Sequence, residues 1–286
     1  MAYIVHGATG AQGAPVLSAL VAAGADAVGA ARNPDAIPDG RGVRVDLGDA
    51  DALTRLYAGS DGVFVHLPLA APDVLAAQAV AIATAIARAT PTRVVISTSG
   101  QVVDEPGSPL QSAPDSPVMT LITAARSSSV PTAVLAPRLF LENLLLPVVR
   151  EPLLREDVLR YPLPAGCRVS WASQPDAAQV AALLLTGEEH SGVVGVGALP
   201  GLTGQDLADA FCEALGRPIR FEPITPHQFG ALLRPVIGSA AEGVAALYTR
   251  LAAAAGSVIL RETSAQTLLG IEPRPVAQWA AGQSLS

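Results

Sequence analysis

The stretch Gly7-Ala8-Thr9-Gly10-Ala11-Gln12-Gly13 follows a short apolar run, residues 3–6, and precedes residues 14–23, where Val16, Leu17, Leu20 and Val21 recur at helical spacing. Strand, glycine-rich turn and helix in that order form a unit suited to phosphate. Gly7 permits the tight turn, Gly10 lets backbone approach a pyrophosphate, and Gly13 lets the helix pack close on the strand. The helix start then offers free amides and the positive end of its dipole to the phosphates.

Outward from this unit the alternation continues. Further strands are expected at residues 27–31, 43–45, 62–66 and 93–96, the last closed by Ser97-Thr98-Ser99-Gly100. Between them, Gly24 ends the first helix, Asp49 caps a second carrying Leu53 and Leu56, and the alanine-rich residues 71–89 form a third. Such alternation implies a parallel sheet covered on both faces. Residues 101–117, with four prolines, read as a loop before a helix at 118–127 and a strand at 132–136. Beyond Asn143 the prolines thicken and the alternation breaks. A helix at 176–185, a strand at 192–196, a helix at 204–215 and a short strand at 219–221 follow, with helices to the end. The expected fold is α/β, a Rossmann-like doubly wound parallel sheet with a smaller, mostly helical C-terminal cap. Residues 1–143 would form the dinucleotide-binding domain, with 172–198 returning to it, and residues 144–171 and 199–286 the substrate-binding cap.

Of the 286 residues half are hydrophobic and 15% charged, enough to bury a sizeable core. Eighteen basic residues face 25 acidic ones, a net charge of −7, and no basic run suggests a nucleic-acid partner. All the basic residues are arginine; the absence of lysine excludes any mechanism that needs a lysine amine. Cys167 and Cys212 lack metal-ligand spacing and read as reduced thiols. The N-terminus has no basic segment or cleavage site, and apolar runs are short or interrupted, so a cytoplasmic protein without a membrane span is expected.

The end of the second strand discriminates between dinucleotides. An acidic residue there suits the ribose hydroxyls of NAD; this chain has Ala31-Arg32-Asn33-Pro34, and an arginine suits a 2′-phosphate. Asp46 and Leu47, past the third strand, would lie beside the adenine, although a plain turn aspartate reads equally well.

These residues resemble the NmrA-like, atypical branch of the short-chain dehydrogenase/reductase superfamily over nearly the whole chain. The likeness continues in Val95-Ile96-Ser97-Thr98-Ser99, in Val134-Leu135-Ala136-Pro137-Arg138-Leu139-Phe140-Leu141-Glu142-Asn143, in Asp176-Ala177-Ala178, and in Ala214-Leu215-Gly216-Arg217-Pro218-Ile219. The resemblance implies an NADP(H) site across the carboxyl ends of the strands. Gly7, Thr9, Gly10, Ala11, Gln12, Gly13 and Arg32 would hold the phosphates and adenosine ribose. His66, Leu67 and Pro68 would sit beside the nicotinamide ribose, and Ser97, Thr98, Ser99 and Pro137 beside the nicotinamide. Phe140 and Asn143 would line the pocket of a small-molecule substrate.

The superfamily's usual Tyr-x-x-x-Lys relay is missing. The tyrosines are Tyr3, Tyr57, Tyr161 and Tyr248; none starts the helix after the fifth strand, and no lysine exists to pair with them. Three readings are open: an NADPH-dependent oxidoreductase reducing a quinone, enone or related carbonyl by direct hydride transfer; an NADP(H)-binding redox sensor or regulator without turnover; and a non-redox tailoring enzyme in natural-product biosynthesis. A homodimer or a regulatory protein partner is compatible with each. His66 and Ser99 are the candidates for the missing acid, against a cofactor-packing histidine and a turn hydroxyl. His6 reads as a core histidine bonded to backbone, His190 in Glu188-Glu189-His190 as part of a solvated loop, and His227 as the start of a cap helix. No metal motif and no Gly-x-Ser-x-Gly elbow appear.

Overall fold

Seven parallel strands form the central sheet of the computed structural model, which describes residues 2–187 and 190–284. In chain order the first half runs β1 (Tyr3–His6), α1 (Gly13–Ala22), β2 (Ala27–Ala31), β3 (Gly42–Arg44), α2 (Ala50–Tyr57), β4 (Gly62–His66), α3 (Pro72–Ala89), β5 (Val94–Ser97), α4 (Pro117–Ser127) and β6 (Thr132–Pro137). The second half runs β7 (Leu139–Phe140), α5 (Pro147–Arg155), β8 (Val158–Tyr161), β9 (Arg168–Val169), β10 (Trp171–Ala172), α6 (Gln174–Thr186), β11 (Gly192–Val196), α7 (Gly204–Leu215), β12 (Arg220–Pro223), α8 (Pro226–Ile237), α9 (Ala240–Ala253), β13 (Gly256–Ser257), α10 (Ala265–Leu269) and α11 (Val276–Ala281).

The sheet order is β11-β6-β5-β4-β1-β2-β3. The chain steps outward from β1 to β3, then returns to lay β4 on the other side of β1. This reversal is the switch point at which a doubly wound sheet opens a crevice beyond its carboxyl ends. β4, β5 and β6 are continuous apolar runs because both faces are covered. α1 and α6 cover one face through Val16, Leu20, Val180 and Leu184; α2, α3 and α4 cover the other through Leu53, Ile82, Ile86 and Leu121. A third core, around Leu144, Tyr161, Trp171, Phe211, Phe229, Tyr248 and Trp279, lies beneath the cap helices. Asp49 caps α2 by accepting from the Asp51 and Ala52 amides, and reciprocal capping boxes start α7 and α8.

The cap departs from the helical expectation by three two-stranded parallel pairs, β7–β10, β8–β12 and β9–β13. Strands of two to four residues carry too little alternation to be read from sequence. The fifth strand starts at Val94 rather than Arg93, whose guanidinium bonds the Leu184 and Gly187 carbonyls at 2.8 and 2.9 Å. α3 differs from the membrane expectation in being long and apolar enough to cross a bilayer by composition. Its Ala79, Ile82, Ala85 and Ile86 face is buried in the core, while Val74 and Val80 are exposed. Cys167 is buried and Cys212 half-buried, both as free thiols.

His6 is fully buried at the end of β1, and its Nε2 meets the Tyr57 hydroxyl of α2 at 2.8 Å. The expected backbone partner is thus replaced by a tyrosine. Burial, with a contribution from nearby His66, lowers the His6 pKa to about 3, so the folded protein keeps it neutral while the unfolded chain protonates it near its ordinary value of 6.5. The neutral ring stabilises fully above pH 6.5 and loses that contribution as pH falls towards 3. In urea titrations the stability margin of wild type over His6→Gln is expected to shrink by about 1.4 kcal/mol per pH unit between pH 6 and 4; a margin independent of pH contradicts the assignment.

Candidate active site

Two glycines shape the loop between β1 and α1. Gly7 has φ +62°, and a side chain there would meet His66 Nε2 at 2.4 Å. A Cβ on Gly13 would lie 2.3 Å from the His6 carbonyl oxygen and 2.4 Å from that of Gly7, both backbone atoms with no room to yield. Thr9, Gly10 and Ala11 are exposed at the turn, and no side chain caps α1. An exposed, uncapped helix start behind a glycine cradle fits a pyrophosphate.

Gln12 stands at the cap position of α1 but turns its amide elsewhere. Its Oε1 accepts from the Ser97 hydroxyl at 2.8 Å, and its Nε2 donates to the Ser99 hydroxyl at 2.9 Å. The Ser97 oxygen in turn accepts from the Ser99 amide at 3.2 Å. Ser97 is therefore committed as donor and acceptor. Ser99, in a positive-φ turn, accepts from Gln12 and retains its own hydroxyl proton. The glycine loop and the end of β5 are thus joined through side chains.

At the other edge of the sheet Arg32 is exposed at the end of β2, and among the described residues no carboxylate pairs with it. Arg44, also exposed, donates to the Arg32 carbonyl at 2.7 Å, which brings a second guanidinium to the end of β2. Asp46 accepts from the Gly48 amide at 2.9 Å, an Asx turn, while Leu47 is half-buried beside it.

His66 ends β4 opposite Ser97 of β5. Its Nε2 is closed off from solvent with no hydrogen-bond partner among the described residues. Burial lowers its pKa, against a smaller opposing effect of a hydrogen bond with the Leu67 backbone, so the ring is neutral. Leu67 and Thr98 are buried, Pro68 is half-buried, and Pro137 ends β6 opposite Val196.

A cavity of about 530 Å³ opens beyond the carboxyl ends of β5 and β6. Leu69, Ser99, Gln101, Phe140 and Asn143 form its sheet side, and Phe229, Leu233, Leu247, Tyr248 and Arg250 its cap side. The segment after β5 supplies Val102, Leu110 and Ser116, and is anchored by Arg138, whose Nη2 bonds Asp104 and Glu105 at 2.9–3.0 Å. Of the candidate acids, the structure brings Ser99 to this cavity with Phe140 and Asn143, whereas His66 stays behind against Gly7 and lines no part of it. His227 is exposed, on a separate groove between α8 and α9, and His190 is half-buried; Met1, Glu188 and Glu189 lie outside the described residues. Among the described residues no metal-ligating cluster of three forms.

Sequence reasoning missed Arg44, Arg138 and Tyr248. The β2–β3 pairing that places Arg44 was foreseeable from the strand order. Tyr248 shares one face of α9 with Ala241, Val244 and Leu251, a helical spacing that marks a packed face without saying what it packs against.

Residues 7–129 match the model of a family described as NAD(P)H-binding. A (4-alkanoyl-5-oxo-2,5-dihydrofuran-3-yl)methyl phosphate reductase of Streptomyces griseus is 29% identical over 97% of this chain and 96% of its own. An NAD(P)H azoreductase of Xenophilus azovorans is 31% identical over 66% of this chain and 64% of its own. Among solved structures, the Citrobacter triphenylmethane reductase complexed with NADP(H) superposes with a TM-score of 0.81 at 19% identity, covering 99% of this chain and all of that one. Residues 7–129 therefore resemble the NAD(P)H-binding family, and the whole chain has the Rossmann-like α/β fold of NAD(P)-binding proteins.

Proposed function

We propose that the protein is an NADPH-dependent oxidoreductase that reduces a conjugated carbonyl compound, an enone or quinone, by direct hydride transfer. The observation that carries this reading is the cavity over the ends of β5 and β6, largely apolar yet including the Ser99 hydroxyl, and linked through Gln12 to the glycine loop. Such a chamber suits a flat, conjugated small molecule better than a sensor needing only the nucleotide. The Streptomyces relative's named substrate is itself a lactone with a ring double bond conjugated to its carbonyl, which agrees with this class.

When bound, the reduced nicotinamide supplies the hydride. The chain supplies the rest. Gly7, Thr9, Gly10, Ala11 and the α1 start hold the pyrophosphate. Arg32, with Arg44 at the same end of β2, holds the 2′-phosphate; Leu47 packs near the adenine, and Asp46 serves the turn. Leu67, Pro68, Thr98 and Pro137 flank the nicotinamide half, and neutral His66 backs the loop at Gly7. Ser99 donates its remaining proton as a hydrogen bond to the substrate carbonyl, polarising it for attack. Residues 144–171 and 199–286 form the substrate-binding cap, with Phe140 and Asn143 at its boundary.

Calorimetry on Arg32→Ala is expected to show NADPH binding weakened about 10- to 100-fold, the loss of a charge-assisted contact of about 1.5–3 kcal/mol, with NADH binding unchanged. Equal loss for both nucleotides contradicts the role of Arg32. Spectrophotometry with a panel of quinones and cyclic enones is expected to show NADPH consumption. Tight NADPH binding with no consumption across the panel overturns the enzyme reading in favour of a nucleotide sensor.

A further inference from the structure

The reduction of a conjugated carbonyl leaves an oxyanion that must be protonated. Ser99 can hydrogen-bond that oxygen, but a serine hydroxyl is too weak an acid to surrender its proton, and neutral His66 lies outside the cavity. The cavity also has a phenol-bearing residue on its cap side. This is Tyr248, on α9, and its hydroxyl is hydrogen-bonded to that of Tyr161 at the end of β8. Tyr161 is in turn hydrogen-bonded by the Asn143 side chain, which also lines the cavity. Both phenols are almost wholly buried, edge-on to one another and packed on Phe229, so neither swings freely.

On the reductase reading of this site, we propose that Tyr248 is the proton donor to the reduced substrate, with Tyr161 and Asn143 as its positioning residues. This role assigns the chain one polarity, that in which Tyr248 keeps a free O–H. The Asn143 amide donates to the Tyr161 oxygen, Tyr161 donates to the Tyr248 oxygen, and the Tyr248 O–H is left for the cavity. Burial raises the pKa of both phenols; the bond from Asn143 opposes this at Tyr161, and the bond from Tyr161 opposes it at Tyr248. The donor is therefore protonated at neutral pH, and its anion is steadied when it forms.

The step balances as follows. The hydride brings two electrons to the carbon β to the carbonyl, the carbon–carbon π pair shifts, and the charge arrives on oxygen as an enolate. The Tyr248 O–H bond breaks and its proton passes to that oxygen, giving an enol that tautomerises in water. The tyrosinate, held by the Tyr161 O–H, is reprotonated by water after product leaves. The substrate is reduced and the nicotinamide oxidised, with no further co-reactant.

A cationic triphenylmethane dye accepts hydride and becomes neutral, so it needs no proton. This separates proton delivery from binding and hydride transfer. In Tyr248→Phe, which keeps the aromatic packing, single-turnover NADPH oxidation by a cyclic enone is expected to slow about 100-fold, with a much smaller loss on the dye. Tyr161→Phe is expected to slow the enone about 10-fold, again with a smaller loss on the dye. Independently of turnover, 4-nitrophenolate, a stable oxyanion, is expected to bind Tyr248→Phe at least 10-fold more weakly than wild type by absorbance titration, the loss of one hydrogen bond to a charged group. An undiminished enone rate, an equal loss on enone and dye, or unchanged phenolate affinity overturns the role of Tyr248 while leaving the reductase reading intact. Failure of the wild-type protein to oxidise NADPH with either acceptor overturns both.

Discussion

Helix α1 meets strand β1 at Gly13 so closely that even a methyl group has no space among the carbonyl oxygens of His6 and Gly7. That approach fixes where the helix begins and which way its free amides point. It also delivers Gln12 to the ends of the neighbouring strands, where its amide ties Ser97 and Ser99 to the glycine loop. The glycine loop and the floor of the cavity are consequently joined by side-chain hydrogen bonds, and His66 packs on the open face of Gly7 from β4.

The chemistry that this frame can support is limited by the absence of lysine. The usual arrangement of the superfamily sets a tyrosine and a lysine on one helix beside the nicotinamide, so that the ammonium eases the phenol towards its anion. Here α4, the helix after β5, carries neither. On the proposed reading the remaining hydroxyls divide the work: Ser99, on the sheet side, polarises a carbonyl, and Tyr248, on the cap side, releases a proton. Neutral neighbours replace the ammonium. Asn143 and Tyr161 can stabilise a phenolate only by hydrogen bonds, which favours acceptors whose reduced oxygen is already fairly acidic, such as enolates and hydroquinones, over simple alkoxides.

The sheet half of the molecule was legible in the sequence because local signals agreed there. Gly7, Gly10 and Gly13 mark the first turn, buried β4 and β5 read as unbroken apolar runs, and Asp49 announces α2. Arg32 stands out because it follows directly from the end of β2. The site was less legible where it depends on tertiary placement. Ser99 and Asn143 were named from their place in the chain order of the fold, and both line the cavity. His66 has the right position on its strand, yet its ring turns to Gly7 rather than to the cavity, a choice made by packing. Tyr161 and Tyr248 are 87 residues apart and meet only because β8 and α9 share the cap core, a non-local contact with no local signature.

The central claim is that hydride passes directly from a nicotinamide held by the α1 cradle to a substrate in the cavity beneath the cap. A cofactor held in that cradle would turn a single face of its nicotinamide to the cavity. The most direct measurement is mass spectrometry of the reduced product after turnover with NADPH deuterated separately at each of the two C4 positions. The account predicts deuterium at the carbon β to the carbonyl from one stereoisomer only. Product without deuterium from either isomer, or equally labelled from both, contradicts it.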